Sequence, residues 1–282
     1  MRAPTGSTRL VAVIGSPISH SLSPVLFNAA FEAAGLDWVD VALEVAAGDT
    51  ARALDGMRAL GIVGLSVTTP HKEAAAALCD ALSPEAELLG AVNCIHNVDG
   101  VLTGHTTDGD GLVASVRIDH DFQVAGRRCV VLGAGGAAAS VVLALVRAGA
   151  ASVTVVNRTR ERADRLVALV GGSAAACAPG DAGPALAEAE LVVNATTVGM
   201  GASDDAMPID PSSLHAGQLV VDIVYRPLET ALLRAAAARG AATSNGVSML
   251  VHQAALQFEI WTGAKAPVDA MTAAVAPLLR VG

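Results

Sequence analysis

An unusual lysine ends the stretch Gly64–Lys72 (GLSVTTPHK), in which an apolar run gives way to hydroxyl residues and a proline. Thr69 is suited to cap a helix and Pro70 to occupy its first position, so we expect an alanine-rich helix that continues to about Leu82. Lys72 would lie in the first turn of that helix, where a cation opposes the helix dipole. The chain has two lysines against sixteen arginines. Lys72 is therefore either a functional group or a solvated helix end whose charge the next residue offsets.

A glycine turn at residues 133–137 (GAGGA) is the second chemical signal. It follows the apolar run Arg128–Leu132 directly, and a long apolar helix and a strand over Ser152–Val156 are predicted after it. This order of strand, turn, helix and strand is the context of a dinucleotide-binding fingerprint. Gly133 allows the tight turn, and Gly135 lets the backbone approach a pyrophosphate at the helix N-terminus. A glycine turn kept only for tight packing is the alternative.

The residues after the second strand of this motif favour NADP over NAD. A cofactor with a free ribose hydroxyl would require Asp or Glu there, whereas the chain has the sequence NRTRER at 157–162. Arg158 and Arg162 are four residues apart at a predicted helix start, so they can flank one phosphate, and Thr159 can donate a hydroxyl. A solvated basic helix start is the alternative.

The composition is that of an acidic globular protein. Its 282 residues are 52% hydrophobic and 16% charged, which is enough to build two ordinary domains or one large one. A net charge of −9 argues against nucleic-acid and anionic-membrane partners. The four cysteines are far apart and the histidines form no paired motif, so we expect reduced thiols, a cytoplasmic location and no metal.

Alternating strands and helices predict an α/β fold with two domains. The first has a mainly parallel sheet and ends in a hairpin that turns at residues 98–100, and the second is the Rossmann-type domain around the glycine turn. The predicted strands are 9–15, 38–45, 62–68, 92–97, 101–106, 128–132, 152–156, 191–194 and 218–224. The predicted helices are 23–35, 50–60, 70–82, a helix to 149, 247–262 and 268–279, and Ser23 is the predicted cap of the first. A short strand and a short helix are expected within 171–190, and a polar loop over 201–213.

Several polar side chains lie near the ends of predicted strands, although each alone has a structural explanation. Ser21 and Ser23 can shape a turn and cap a helix, and Asn93 can satisfy neighbouring backbone groups. Asp108 can be a helix N-cap, and Gln253 can be a satisfied amide in an apolar helix. Because ligands of open α/β sheets bind at the carboxyl ends of strands, the common placement of most of these residues indicates a binding site.

Ten sequence blocks resemble the shikimate dehydrogenase family, and the resemblance runs nearly end to end. Any one block is modest support, but ten in the right order are highly specific. The blocks are Gly15–Pro24 (GSPISHSLSP), Ser66–Lys72 (SVTTPHK), Gly90–Asn93 (GAVN), Thr107–Gly109 (TDG), Gly133–Ala137 (GAGGA), Asn157–Thr159 (NRT), Asn194–Thr196 (NAT), Asp222–Tyr225 (DIVY), Asn245–Leu250 (NGVSML) and Gln253–Ala255 (QAA).

The resemblance implies an enzyme that reduces 3-dehydroshikimate to shikimate with NADPH, in the route through chorismate to aromatic amino acids. It implies that Ser21 and Ser23 hold the substrate carboxylate with Tyr225 nearby, and that Lys72 and Asp108 form the catalytic pair. Hydride delivered to a ketone leaves a developing alkoxide, which needs a positive, proton-donating group, and a neighbouring carboxylate can orient that group and tune its pKa. The implied ligands of the ring hydroxyls are Thr68, Asn93, Asp108 and Gln253.

The cofactor-binding residues, whether read from the fingerprint or implied by the resemblance, belong to the glycine turn, the basic stretch and three later blocks. They are Gly133, Ala134, Gly135, Gly136, Ala137, Asn157, Arg158, Thr159, Arg162, Thr196, Ile223, Gly246 and Met249.

Three positions depart from the family pattern, and none of them removes a residue assigned to the chemistry. Phe27 replaces the usual His, Ser66 the usual Asn, and His105-Thr106 the usual Asp-Asn. The departures leave open a relative that acts on quinate or another hydroxylated cyclohexene acid, and a non-catalytic NADP-binding sensor on the same fold is a further alternative.

We therefore expect residues 1–107 together with 246–282 to form a substrate-binding domain and residues 108–245 an NADP-binding domain, with the site in the cleft. The expected partners are the small substrate and the cofactor, without nucleic acid or membrane. The sequence leaves open a monomer or a homodimer.

Overall fold

The computed structural model describes residues 3–201 and 206–279. The chain forms two compact units, one built from residues up to Thr107 together with those from Val251 onward, and the other from Asp108–Leu250. The assignment of a substrate-binding and a cofactor-binding domain, with limits at 107/108 and 245/246, stays a prediction. Within the described ranges, no helix combines the length and apolar character that a bilayer-spanning segment requires.

Twelve strands and eleven α-helices build the two units in the part of the chain that the structure describes. The strands are β1 (Arg9–Gly15), β2 (Trp38–Glu44), β3 (Gly64–Val67), β4 (Ala81–Leu82), β5 (Cys94–Val98), β6 (Val101–His105), β7 (Arg128–Leu132), β8 (Ser152–Val156), β9 (Ala174–Cys177), β10 (Leu191–Asn194), β11 (Leu219–Asp222) and β12 (Ala242–Ser244). The helices are α1 (Ser23–Ala33), α2 (Thr50–Leu60), α3 (Lys72–Ala76), α4 (Pro84–Leu89), α5 (Asp108–His120), α6 (Gly136–Arg147), α7 (Arg160–Val170), α8 (Gly183–Glu188), α9 (Ala231–Ala238), α10 (Gly246–Thr262) and α11 (Val268–Val275).

The first unit contains a mixed six-stranded sheet in the order β2-β1-β3-β5-β6-β4. The pairs β1–β2, β1–β3 and β4–β6 are parallel, whereas β3–β5 and β5–β6 are antiparallel. The predicted hairpin between β5 and β6 is present, and its turn residues Asp99 and Gly100 have positive φ values of 52° and 87°. This geometry is the one that two-residue hairpins favour.

The second unit contains six parallel strands in the order β12-β11-β10-β7-β8-β9. This is the strand order of a dinucleotide-binding fold, in which the sequence order reverses between β7 and β10. The apolar runs of β7, β10 and β11 have no alternation of polar and apolar residues, because both faces of the sheet are covered. The expected α/β fold with a Rossmann-type unit is confirmed.

The helix that carries Lys72 is much shorter than predicted. Helix α3 has five residues and begins at Lys72, with His71 at the cap position, while the expected cap Thr69 lies in the preceding turn. The prediction of a helix over 70–82 was wrong because the chain turns into the sheet instead. The Asp80 N–H donates to the Leu102 carbonyl at 2.9 Å, and the Asp80 carboxylate accepts the Leu102 N–H at 2.7 Å. These contacts outweigh the helix propensity of the alanines.

Other differences from the predicted elements are smaller. Helix α1 begins at Ser23, so the prediction that Ser23 caps it was wrong; Leu22 holds the cap position and makes no side-chain capping bond. Strands β3 and β11 are shorter than predicted, and β4, β12, α4, α5 and α9 were not predicted. Residues 202–205 of the predicted polar loop lie outside the described residues, as do the chain ends at 1–2 and 280–282.

Strand β2 at the edge of the first sheet contains a buried carboxyl group, Asp40. Its residue is 2% exposed, and both carboxylate oxygens are without a hydrogen-bond partner. Asn28 of α1 instead binds the backbone of Asp40, since its amide nitrogen donates to the Asp40 carbonyl and its amide oxygen accepts the Asp40 N–H, each at 2.9 Å. Burial raises the pKa of Asp40 from 3.8 to about 8. The carboxyl group is therefore protonated at neutral pH.

Replacing Asp40 by Asn should reduce the pH dependence of stability. Between pH 3.8 and about 8 the folded protein keeps a proton that the unfolded chain releases, so the free energy of unfolding falls as the pH rises through this range. Urea unfolding should show that the free energy of unfolding falls more between about pH 5 and about pH 8 in the wild type than in Asp40→Asn. Equal losses would contradict a protonated carboxyl group at this position.

Candidate active site

In the first unit, the carboxyl ends of β1 and β3 are joined by a close backbone approach. The Thr68 N–H donates to the Ile14 carbonyl at 3.0 Å, and the Ser16 N–H donates to the Thr69 carbonyl at 3.1 Å. A Cβ atom on Gly15 would lie 2.5 Å from the Thr68 Cγ2, so this approach requires glycine. The loop after β1 therefore starts beside Thr68, one of the predicted substrate ligands.

Ser21 and Ser23 lie in that loop and at the start of α1. The Ser21 N–H donates to the Ile18 carbonyl at 2.9 Å, and the Ser21 Oγ accepts the Ser23 N–H at 3.2 Å. Because the Ser21 hydroxyl acts as an acceptor in this turn, its own proton can be directed to an anion.

Phe27, which departs from the family pattern, is fully buried with its ring 4.8 Å from the Trp261 ring. That replacement is a matter of core packing.

Lys72 and Asn93 belong to the same edge of the first sheet. The Val92 N–H donates to the Lys72 carbonyl at 3.1 Å, and the Val67 N–H donates to the Asn93 carbonyl at 2.8 Å. Lys72 is partly exposed, whereas Asn93 is buried. The fold thus brings the backbones of Lys72, Asn93 and Thr68 together at the end of β3.

The sequence analysis did not single out His71, which holds the turn before Lys72 in place. His71 is 1% exposed; its Nδ1 lies 2.9 Å from the Thr50 Oγ1, and its Nε2 lies 2.9 Å from the Val45 carbonyl oxygen. Since a carbonyl oxygen only accepts, Nε2 carries a proton and the Thr50 hydroxyl can donate to Nδ1. Both partners are more than twenty residues away, so local sequence gives no signal for this role.

A buried polar cluster surrounds Asn93. The Thr107 N–H donates to the Asn93 Oδ1 at 2.7 Å, and the Asn93 Nδ2 lies 3.0 Å from the Thr107 Oγ1 and 3.3 Å from the Gln253 Oε1. Gln257 completes the cluster, with its Nε2 2.7 Å from the Gln253 Oε1 and its Oε1 2.5 Å from the Ser66 Oγ. Of these five residues, the predictions named Asn93 and Gln253 as ligands; the spacing of Gln257, one helical turn after Gln253, was the signal that could have added it.

In the second unit the glycine turn lies at the reversal point between β7 and β10. Gly133 has φ +113°, and a Cβ atom there would lie 3.0 Å from the Ala195 carbonyl oxygen and 3.1 Å from the Thr196 Cγ2. A Cβ on Gly135, the cap residue of α6, would meet no protein atom within 4 Å. The N-terminus of α6 therefore opens onto space that a phosphate can enter.

The two glycines should respond differently to alanine. Gly133→Ala places a side chain at a positive φ against the β10 loop, which should lower the free energy of unfolding by about 1–3 kcal/mol. Gly135→Ala has an extended backbone and open space, so its stability should stay within about 1 kcal/mol of the wild type. Chemical unfolding of the two variants checks this difference, and an unchanged midpoint for Gly133→Ala would contradict the close approach.

The basic stretch after β8 is solvent-facing. Arg158, Thr159 and Arg162 are exposed, and Asn157 donates its amide to the Thr159 carbonyl at 2.8 Å. Arg160 pairs with an aspartate one turn later in α7, at 2.9 Å. Helix α7 begins at Arg160, so Arg158 lies before the helix and Arg162 lies within its first turn.

The loops after β10 and β11 are held by a buried network that the predictions missed. Asn194 and Asp222 are fully buried and 2.9 Å apart, from Nδ2 to Oδ1, and the Thr230 hydroxyl donates to the Asp222 Oδ2 at 2.7 Å. Thr196 donates its N–H and its hydroxyl to the Asn194 Oδ1, and its Oγ1 accepts the Val198 N–H. Burial raises the pKa of Asp222, while its hydrogen bonds oppose the rise. The sequence signal that could have identified this network is the polar residue that ends each buried strand, Asn194 in β10 and Asp222 in β11.

The remaining predicted cofactor residues lie where α10 meets β11. A Cβ on Gly246 would lie 2.0 Å from the Ile223 carbonyl oxygen, so the helix can approach the strand only with glycine there. Met249 is 7% exposed and packs in the core of the second unit, with Ile223 against the same core. Met249 therefore contributes to the packing of this core.

Asp108 and Tyr225 also belong to the second unit. Asp108 is the first residue of α5, and the N–H of Gly109 donates to the Ser140 Oγ at 2.8 Å, which fixes the start of α5 on α6. Tyr225 follows β11 and is half-buried, and burial raises the pKa of its phenol.

These features define the class of dinucleotide-binding α/β proteins, here joined to a unit in which Lys72 and Thr68 lie at the same end of the sheet as a buried amide cluster. Family models describing the shikimate dehydrogenase substrate binding domain, shikimate / quinate 5-dehydrogenase, and the shikimate 5'-dehydrogenase C-terminal domain match residues 13–95, 115–225 and 246–276. The chain belongs to the shikimate dehydrogenase family, as its sequence resemblance predicted.

Similar proteins cover the chain nearly from end to end. A Moorella thermoacetica protein named shikimate dehydrogenase (NADP(+)) is 46% identical over 272 residues, covering 94% of this chain and 92% of its own. The crystal structure of Thermus thermophilus shikimate 5-dehydrogenase in complex with NADP(H) and shikimate has a TM-score of 0.88 at 36% identity, covering 95% and 99%. Quinate dehydrogenase from Corynebacterium glutamicum in complex with NAD has a TM-score of 0.89 at 32% identity, covering 96% and 99%.

Proposed function

We propose that this chain catalyses the reversible, NADP(H)-dependent reduction of 3-dehydroshikimate to shikimate, a step towards aromatic amino acids. The observation that carries the proposal is the 46% identity, over nearly the whole length of both chains, to a protein named shikimate dehydrogenase (NADP(+)). The four unpaired cysteines support a cytoplasmic location.

Substrate recognition is assigned to hydroxyl and amide groups. The Ser21 and Ser23 hydroxyls, with Tyr225, bind the carboxylate, and the turn geometry of Ser21 supports this because its oxygen accepts a backbone N–H and its proton can point outward. Thr68, Asn93, Asp108 and Gln253 bind the ring hydroxyls. The buried hydrogen bonds of Asn93 support a fixed orientation of its amide, which discriminates between substrate hydroxyl positions.

Lys72 and Asp108 are assigned the acid–base chemistry. NADPH, when bound, supplies the hydride. As negative charge develops on the substrate oxygen, the Lys72 ammonium stabilises that charge and delivers a proton to the oxygen. The Asp108 carboxylate orients the ammonium for this transfer. In the oxidation of shikimate the neutral amine accepts the hydroxyl proton.

The cofactor is assigned to the carboxyl edge of the second sheet. The pyrophosphate approaches the turn 133–137 over Gly135, where a side chain would meet no protein atom. Arg158, Thr159 and Arg162 bind the 2′-phosphate, and their exposure on and just before α7 leaves them accessible to it. Asn157, Thr196, Ile223, Gly246 and Met249 complete the cofactor-binding set.

The reaction is tested by following reduced cofactor in solutions of shikimate or quinate, each with NADP and with NAD. The expected result is fastest turnover with shikimate and NADP. Preference for quinate would favour the alternative activity, which the structural similarity to a quinate dehydrogenase keeps as the second candidate. Cofactor binding without turnover of either acid would identify a non-catalytic sensor.

Lys72→Ala should lose most of its turnover and keep much of its shikimate binding. Removal of a general acid typically lowers the rate by about 10²–10⁴-fold, whereas the remaining substrate ligands are unchanged. Single-turnover rates and calorimetry measure the two effects separately. Lys265→Ala is the matched control, because Lys265 is exposed and is the second of the two lysines in the chain. Near-normal turnover of Lys72→Ala would exclude Lys72 as the acid.

Arg158→Ala should weaken NADP binding by roughly 10–100-fold, the effect of losing one or two charge-assisted hydrogen bonds. NAD binding should change much less, since NAD has no 2′-phosphate. Titration of both cofactors measures the ratio, with Arg160→Ala as the control because Arg160 already pairs with Asp164. Equal losses for the two cofactors would defeat the assignment of Arg158.

A further inference from the structure

Gln257 lies at the centre of the buried polar cluster of the first unit and has no role in the proposed substrate contacts. It is 2% exposed and stands one helical turn after Gln253 in α10. Its Nε2 lies 2.7 Å from the Gln253 Oε1 and 3.3 Å from the Asn93 carbonyl oxygen, while its Oε1 accepts the Ser66 hydroxyl. Every polar atom of this side chain is therefore engaged.

These partners determine which way the Gln257 amide points. The Asn93 carbonyl oxygen only accepts hydrogen bonds, so the group beside it must be the donor, Nε2. The Ser66 hydroxyl then faces Oε1 and donates to it. The reversed amide would place two oxygens against each other in a buried site, which costs the energy of unsatisfied acceptors.

The orientation of Gln257 in turn determines that of Gln253. The Gln253 Oε1 accepts from the Gln257 Nε2, and the Asn93 Nδ2 lies 3.3 Å from the same oxygen. With two donors converging on its oxygen, the Gln253 amide cannot reverse without losing both. A hydrogen bond from this amide to a ligand oxygen therefore comes from its Nε2, as the donor.

We propose that Gln257 is a positioning residue for substrate recognition: anchored by Ser66, it fixes the Gln253 amide so that Nε2 donates to an oxygen of the substrate ring. The proposal rests on the proposed function, because Gln253 is assigned there as a substrate ligand. It gives a role to Ser66, where the family pattern has Asn. A short hydroxyl at position 66 accommodates the long Gln257 side chain and supplies the proton that orients it.

The test compares Gln257→Met, which keeps the length of the side chain but cannot donate, with the wild type. The Michaelis constant for shikimate should rise about tenfold, the effect of one lost or misdirected hydrogen bond, while kcat and the Michaelis constant for NADP stay within about twofold. Thr262→Val is the control on the same helix, since the Thr262 hydroxyl bonds within the C-terminal turn of α10. It should leave all three constants unchanged.

A double-mutant cycle separates positioning from simple packing. If Gln257 acts through Gln253, then Gln257→Met should have little further effect on the shikimate constant in a Gln253→Met background. Full additivity of the two substitutions would overturn the proposal, as would an unchanged shikimate constant in the single variant. A fall in kcat accompanied by equal rises in both Michaelis constants would indicate a structural role and would also overturn the proposal.

Ser66→Ala provides a milder variant should Gln257→Met fold poorly. It removes the donor to the Gln257 Oε1 and leaves the glutamine in place, so a smaller rise in the shikimate constant alone is expected; no change would count against the proposal. Wild-type turnover is measured in the same series. Absence of that turnover overturns the proposed function, whereas normal wild-type turnover with unaffected variants overturns only the role of Gln257.

Discussion

Parallel strand pairing is the constraint on which both units depend. Parallel neighbours need a crossover connection, which carries the chain from the end of one strand back to the level at which that strand began. The carboxyl ends of the parallel strands therefore lie side by side. In the second unit all five pairings are parallel, and the loops after β7 and β10 meet at Gly133. In the first unit the β1–β3 pair has the same effect and brings the loop after Gly15 against Thr68. Residues distant in the sequence are thereby collected at each edge.

Polar groups are buried near these strand ends, and hydrogen bonds within the protein must replace the hydrogen bonds to water that they lose. An unsatisfied buried donor or acceptor costs about 1–3 kcal/mol, so a fully bonded amide such as Asn93 or Asn194 has one favourable orientation. That cost converts a set of flexible polar side chains into fixed donors and acceptors. Asp40 represents the other solution, because a carboxyl group without hydrogen-bond partners avoids the larger cost of a buried charge by remaining protonated.

The sequence was most informative where local pattern and tertiary environment agree. The strands β1, β7, β8 and β10 and the helix α2 were predicted with their observed limits, because runs of buried aliphatic residues bounded by turn signals allow few alternatives. Helix α3 was predicted too long because its end depends on a contact between Asp80 and Leu102, which lie 22 positions apart. His71 and Gln257 are anchored by Thr50 and Ser66, which lie 21 and 191 positions away. Residue type and strand position could therefore point to ligand-binding groups, but not to the distant residues that anchor the side chains beside them.

The placement of Lys72 also changes meaning once the structure is considered. The sequence suggested that its charge opposes the dipole of a long helix, but α3 has five residues, so few peptide dipoles are aligned behind it. The turn is held by other groups: the Lys72 carbonyl accepts the Val92 N–H, and the His71 ring bonds to Thr50 and Val45. These bonds use the backbone of Lys72 and the side chain of its neighbour, so a substitution of the Lys72 side chain leaves them in place. Because these bonds do not use the ammonium group, we expect a substitution at position 72 to report mainly on the chemistry of the residue.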